Sequence, residues 1–140
     1  MPKNASIIRV PVVSRAVAMD CFYIASQYVG DAYALPQILM RDVDNLSHPL
    51  FVAQTDGYVH GFLRGRLCDD GTALRIHDLY VDLAARRHGL GRRLVNKACD
   101  YARAQGARTM RVQSRPVAIK FYEKQGFYKI AANNMMEKTL

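Results

Sequence analysis

The sequence lacks the features that would put it across a membrane, outside a cell or around a metal. No apolar run approaches the ~20 residues that cross a bilayer, so a helical span is excluded. The opening Met1-Pro2-Lys3-Asn4-Ala5-Ser6 has no apolar core of the kind that marks a secretory signal. The three cysteines, Cys21, Cys68 and Cys99, are an odd number without metal-ligand spacing. Each lies in an apolar stretch, where a thiol behaves as a small hydrophobe. Neither a disulfide framework nor a metal site is expected, and a reducing, cytoplasmic setting is. Repeats, low-complexity tracts and linkers are missing too, so the 140 residues are expected to form one domain. A chain of that length buries roughly two-thirds of the surface it exposes when unfolded, enough to fold without a covalent staple. With 50% hydrophobic and 23% charged residues, the composition is globular and not disordered.

Acidic residues are scarce in one half only. Residues 1–70 carry six Lys or Arg against seven Asp or Glu, whereas residues 71–140 carry fourteen against five. The whole net charge of +8 therefore comes from the second half. Such asymmetry points to an anionic partner there: a nucleotide cofactor, a nucleic acid or an acidic surface. A merely solvated basic face is the plain alternative.

Turn signals and periodicity divide the chain. Ser6 to Val13 reads as a strand, with Pro11 marking an edge or an end. Arg15 to Val29 has Val17, Cys21, Ile24, Ala25 and Tyr28 at helical spacing, and Gly30 follows as a stop. Leu35 to Asn45 is a weaker helix with Pro36 in its first turn. Phe51 to Leu67 reads as a hairpin turning at Asp56-Gly57. Asp69-Asp70-Gly71 is a second turn, and Ala73 to Val81 the next strand. A helix runs to about Gln105 with an apolar stripe of Leu90, Leu94, Val95, Ala98, Cys99 and Ala102, and Gly106 caps it. Ala107 to Ser114 is a strand, Pro116 to Gln125 a helix ended by Gly126, and Phe127–Ala132 and Met135–Leu140 a hairpin around Asn133-Asn134. The order β-α-α-β-β-β-α-β-α-β-β predicts an α/β fold, a mixed twisted sheet of about six to seven strands flanked by about four helices.

The strongest chemical feature is Arg86-Arg87-His88-Gly89-Leu90-Gly91-Arg92-Arg93, set between a strand and an amphipathic helix. A helix N-terminus offers unpaired backbone N–H groups and a partial positive charge. Glycines let a phosphate approach that backbone, and arginines add bidentate donors. The loop is thus suited to a pyrophosphate. Its glycine spacing is not that of a dinucleotide fingerprint, and no Lys-Ser/Thr follows as in a P-loop.

Together these residues resemble the GCN5-related N-acetyltransferase (GNAT) superfamily. Its cofactor loop, Arg/Gln-x-x-Gly-x-Gly/Ala, stands here as Arg86-Arg87-His88-Gly89-Leu90-Gly91. Asp78-Leu79-Tyr80-Val81 is similar to the strand that leads into it. Ala118 through Phe127 is similar to a second signature that has an aromatic pair, Phe121-Tyr122, and the closing Gly126-Phe127. The resemblance covers residues 73–130. It implies a single N-acetyltransferase domain, with residues 1–72 as the acceptor-side half and 73–140 as the acetyl-CoA-binding half. It implies no metal, and transfer of the acetyl group from acetyl-CoA straight to an amine.

In such folds two parallel strands splay and the pantetheine inserts between them; here these are the strands ending near Val81 and Ser114. The backbones of Leu79, Tyr80 and Val81 are then the expected pantetheine contacts. Arg86, Arg87, His88, Gly89, Leu90, Gly91 and Arg92 are the expected pyrophosphate contacts. Many relatives have an Asn seven residues before the tyrosine, where this chain has Arg115. Arg115 is therefore expected to contact the cofactor differently, reaching a phosphate, or not at all.

The chemistry needs a proton removed from the amine, an oxyanion stabilised and the departing sulfur protonated. Tyr122 matches the family's tyrosine and suits the last task. Simple alternation puts Arg75, His77 and Leu79 on one strand face and Ile76, Asp78 and Tyr80 on the other. His77 stands where some relatives carry a glutamate base, and Asp78 is its rival if a bulge swaps the faces. A backbone N–H near Val81 is the expected oxyanion donor. The acceptor is left open between a small-molecule amine, a protein amine and an aminoacyl-tRNA. Asp31, Asp42 and Asp44 are candidates for attracting a cationic one. A non-catalytic acetyl-CoA-binding or nucleic-acid-binding domain is the competing class, and a homodimer is not ruled in or out.

Overall fold

Two left-handed turns set the register of the central strands. In the computed structural model, which describes residues 4–41 and 46–140, Asp56 and Gly57 have φ of 48° and 84°. They close β2 (Leu50–Thr55) against β3 (Tyr58–Cys68). Asp69, Asp70 and Gly71 all take positive φ and return the chain as β4 (Ala73–Val81). Asp and Asn tolerate this region because their short side chains hydrogen-bond locally. Asn133 and Asn134 do the same between β6 (Tyr128–Ala131) and β7 (Met135–Thr139).

The result is a seven-stranded sheet of order β1-β2-β3-β4-β5-β7-β6, in which β4 and β5 (Thr109–Gln113) run parallel. α1 (Arg15–Ser26) and α2 (Leu35–Arg41) cover one face, over Leu50, Val52 and Phe62. α3 (Leu90–Ala104) and α4 (Ile119–Lys124) cover the other, over Phe51, Leu63, Leu74 and Met110. The expected α3 stripe is buried in full. Each such leucine or valine contributes about 1.5–3 kcal/mol of transfer free energy. Among the described residues no helix is long and apolar enough to cross a membrane.

The element order matches the expectation, with differences that have physical causes. β1 is Ser6–Arg9 and stops short of Val13. Its last ladder bond is from the Val10 N–H to the Leu50 carbonyl, and Pro11 has no N–H to extend it. α1 ends at Ser26, not Val29, so Tyr28 leaves the helical stripe. The expected end of the second helix, with Asp42 and Asp44, lies outside the described residues. The helix expected from Pro116 begins as a 3₁₀ turn, Pro116–Ala118, before α4.

One correction matters for chemistry. Arg64 pairs with Asp78 but Gly65 pairs with Ile76, so His77 is an extra residue, a bulge in β4. Gly65 permits it: a Cβ there would lie 3.2 Å from the Arg75 carbonyl oxygen. The bulge breaks simple alternation. Leu74 and Ile76 face α3, and beyond the bulge so do Leu79 and Val81, while Tyr80 packs toward α1. The grouping of Arg75, His77 and Leu79 on one face does not hold.

Candidate active site

β4 and β5 part company halfway along. Their pairing runs from Ala73 with Thr109 to Ile76 with Val112, and β4 then continues from His77 to Val81 without β5 beside it. β5 is drawn off at its end. The Ser114 N–H bonds the Asn134 carbonyl in the final hairpin, and Pro116 then starts a turn. The Asp82 N–H donates to the His60 carbonyl at 2.8 Å. Antiparallel alternation therefore commits Tyr80 to the β3 ladder and turns the backbone of Leu79 and Val81 toward the gap. Tyr80, expected to offer backbone groups, instead offers its ring. The Val81 carbonyl is already taken by the Tyr28 hydroxyl.

At the open end lies the arginine-glycine loop. Gly89 has φ 72° and caps α3 without any side-chain bond. The first intrahelical bond there is from the Arg93 N–H back to Gly89, so the N–H groups of Leu90, Gly91 and Arg92 precede it. No acidic residue occupies the first turn. These are the conditions under which a helix end binds an anion. Gly91 lets α3 approach α4, since a Cβ would sit 3.3 Å from the Phe121 ring. Arg93 is spent elsewhere, on the Ala5 carbonyl at 2.6 Å.

One cavity of about 660 Å³ joins this loop to the gap. Arg86, Arg87, Gly89, Leu90, Gly91 and Arg92 line it, as do His77, Asp78, Leu79, Tyr80, Val81, Arg115 and Tyr122. Of the residues expected at the site, His88 alone is not part of the lining; it is exposed.

Tyr122 is 5% exposed and held edge-on between Phe121 and Phe127, with ring centroids 5.1 and 5.3 Å away. Burial, with the charges of Tyr80 and Asp78, pushes its phenol far above the ordinary tyrosine value. The hydroxyl is thus a proton donor at every physiological pH. His77 titrates below the ordinary histidine value, because of partial burial and then the Arg64 and Arg75 guanidiniums. It is neutral at pH 7, as a base must be. Asp78 accepts from Arg64 Nε at 2.6 Å, with both side chains about one-fifth exposed (19% and 20%). Cys21 is fully buried and its thiol is pushed up to about 12. It is therefore not a nucleophile at neutral pH.

Some residues of the site escaped the sequence reading. Tyr28 reads as one more apolar position of α1, yet it lines the cavity and bonds Val81. Arg86 Nε donates to the Tyr28 hydroxyl at 3.1 Å, and its guanidinium lies 5.2 Å from the ring centroid. Arg115 lies 6.0 Å from the same ring, and its charge acts on the Tyr80 phenol. It shares that ring with Arg86 and lines the same cavity as the loop. Gln27 accepts from the Leu83 N–H at 2.9 Å and donates to Asp82 at 3.2 Å. No sequence signal marks either Gln27 or Tyr28, because their partners are more than fifty residues away (55 and 53).

Comparisons with known proteins agree with this geometry. The family model described as Acetyltransferase (GNAT) family matches residues 16–127. An uncharacterized N-acetyltransferase of Methanocaldococcus jannaschii is 31% identical over 101 residues, which are 64% of this chain and 42% of that protein's length. Ard1 from Thermoplasma volcanium superposes with a TM-score of 0.79 at 25% identity, covering 97% of each chain. The PaiA N-acetyltransferase from Thermoplasma acidophilum, solved in complex with coenzyme A, superposes with a TM-score of 0.75 at 18% identity, covering 96% of this chain and 99% of that one.

Proposed function

The chain belongs to the acetyltransferase (GNAT) family, and on that premise we propose that it transfers an acetyl group from acetyl-CoA directly to a primary amine. One observation carries the reading: a splayed parallel strand pair, an uncapped helix N-terminus flanked by arginines, and a buried tyrosine all line a single cavity. In this proposal residues 73–140 hold the cofactor and residues 1–72 contribute the acceptor side. Arg87, Arg92 and the N–H groups of Leu90, Gly91 and Arg92 take the pyrophosphate. The backbone of Leu79 bonds the pantetheine amides, and the Val81 N–H, whose carbonyl is held by the Tyr28 hydroxyl, is the candidate oxyanion donor.

Tyr122 hands its proton to the sulfur as the carbon–sulfur bond breaks and the amide bond forms. The proton lost by the amine goes to His77, directly or through water. Asp78, committed to Arg64, fits the part of an electrostatic guide for the incoming ammonium better than that of a base. The buried Cys21 thiol supports transfer without an acyl-enzyme. The three free cysteines suit a reducing compartment, and the proposal puts the protein in the cytoplasm.

Calorimetric titration with acetyl-CoA, CoA and ATP at two salt concentrations tests the cofactor. Micromolar binding of acetyl-CoA but not ATP is expected. Salt-sensitive binding of RNA without acetyl-CoA binding would overturn the reading in favour of a nucleic-acid site.

The base has its own test. A histidine held below the usual value stays deprotonated to lower pH, so the acid limb of kcat/KM should lie below ~6.5. His77→Ala should remove that limb or move it. An unmoved limb would eliminate His77.

A further inference from the structure

The acceptor side of the cavity carries an ordered pair of charges. At its inner end the Asp78 carboxylate lines the cavity and, after burial itself, helps to raise the phenols of Tyr80 and Tyr122. Tyr80 follows two positions along β4, roughly 7 Å further on and on the same face. Its ring packs on that of Tyr28, with centroids 5.4 Å apart, and the guanidinium of Arg115 lies against Tyr28, with Arg86 on the same ring. Among the described residues Asp78 is paired with Arg64, but neither Arg115 nor Arg86 is paired with a carboxylate. Two guanidiniums held against one aromatic ring, at the wall of a cavity and without acidic partners, repel each other and favour an anion between them.

Arg115 meets Tyr28 on the α1 side of the sheet, and Arg86 reaches the same ring from the loop that leads to α3. Tyr80 packs into the cluster beneath α1, and Tyr28 ends that helix region, whereas α3 and its N-terminus lie on the opposite face. Arg115 leaves the end of β5 and turns toward α1.

We propose that the acceptor is a primary amine that also carries an anionic group, and that Arg115 is the residue that binds this group. The inference rests on the acetyl-transfer reading and adds the substrate class to it. The ammonium is drawn toward Asp78 beside Tyr122, and the carboxylate or phosphate pairs with Arg115, with Arg86 as second donor. Arg115 offers a planar fork to that anion, which a lysine would not. This runs against the expectation that Asp31, Asp42 and Asp44 select a cationic acceptor. Of these, Asp31 is exposed, and the other two lie outside the described residues.

The test is thiol release from acetyl-CoA with paired acceptors: the common amino acids and phosphoethanolamine, each beside its counterpart without the anion, such as 4-aminobutyrate beside propylamine. At least one anionic amine should be preferred over its counterpart by about tenfold or more in kcat/KM. Arg115→Gln should collapse that ratio toward unity, and Arg115→Lys should restore part of it. Equal rates within every pair, or acetyl-CoA binding without release to any anionic amine, would overturn the inference while leaving the cofactor assignment standing. So would an Arg115→Gln protein that keeps the ratio but binds acetyl-CoA more weakly, since Arg115 would then serve the cofactor. Failure to bind acetyl-CoA at all is a different result, and it overturns the acetyl-transfer reading itself.

Discussion

Replacing Gly89 with valine is expected to raise the acetyl-CoA dissociation constant by roughly tenfold or more, that is, by at least about 1.4 kcal/mol. Two effects add. Gly89 sits at φ 72°, where a side chain costs about 1–2 kcal/mol and a β-branched one more. A Cβ there would also lie 3.4 Å from an Arg92 guanidinium nitrogen, so the branches of a valine crowd the arginine that the proposal gives to the pyrophosphate. The strain is relieved by pulling the start of α3 away from the anion. Gly106→Ala provides the control, because Gly106 has φ 86° at the far end of the same helix with no atom within 4 Å. It should lower the melting temperature without moving the dissociation constant. Calorimetry on both variants decides, and an unchanged affinity in Gly89→Val would sink the loop assignment.

Tyr122→Phe is expected to reduce kcat by about a hundredfold, the usual scale for losing a positioned acid. Acetyl-CoA affinity should stay within about threefold of the parent, since the ring and its packing remain. The split between kcat and affinity is the diagnostic. A purely packing role predicts little change in either, because the phenylalanine fills the same space between Phe121 and Phe127. The high phenol pKa also predicts that no alkaline limb in the parent's rate profile below about pH 10 belongs to Tyr122.

The parts of this site that were legible in the sequence are those whose physics is local. A positive-φ glycine, an adjacent arginine and a helix start are neighbours in the chain, so the conformation of the arginine-glycine loop can be read as a word. The same holds for Asp56-Gly57 and Asn133-Asn134, whose turn geometry follows from their own side chains. The His77 bulge was not legible, since it depends on Gly65 in the strand opposite. Alternation along β4 alone therefore put Leu79 on the wrong side. Arg115 was visible as a departure from a pattern, but its destination was not. Two tyrosines from distant parts of the chain determine where it goes. The acceptor side as a whole is built from such distant meetings, which is why it stayed the open half of the sequence reading.

The bonds that tie Gln27 and Tyr28 to Val81, Asp82 and Leu83 set a limit on recombination. The Asp69-Asp70-Gly71 turn looks like a natural crossover point for exchanging acceptor halves between relatives. A graft joined there would still have to bring a glutamine and a tyrosine to the end of its first helix region. Without them, the Val81 carbonyl and the Leu83 N–H in the recipient half would each lose the partner they have here. If the halves divide as proposed, acceptor choice in this protein is therefore not a cassette that can be swapped independently of the cofactor half.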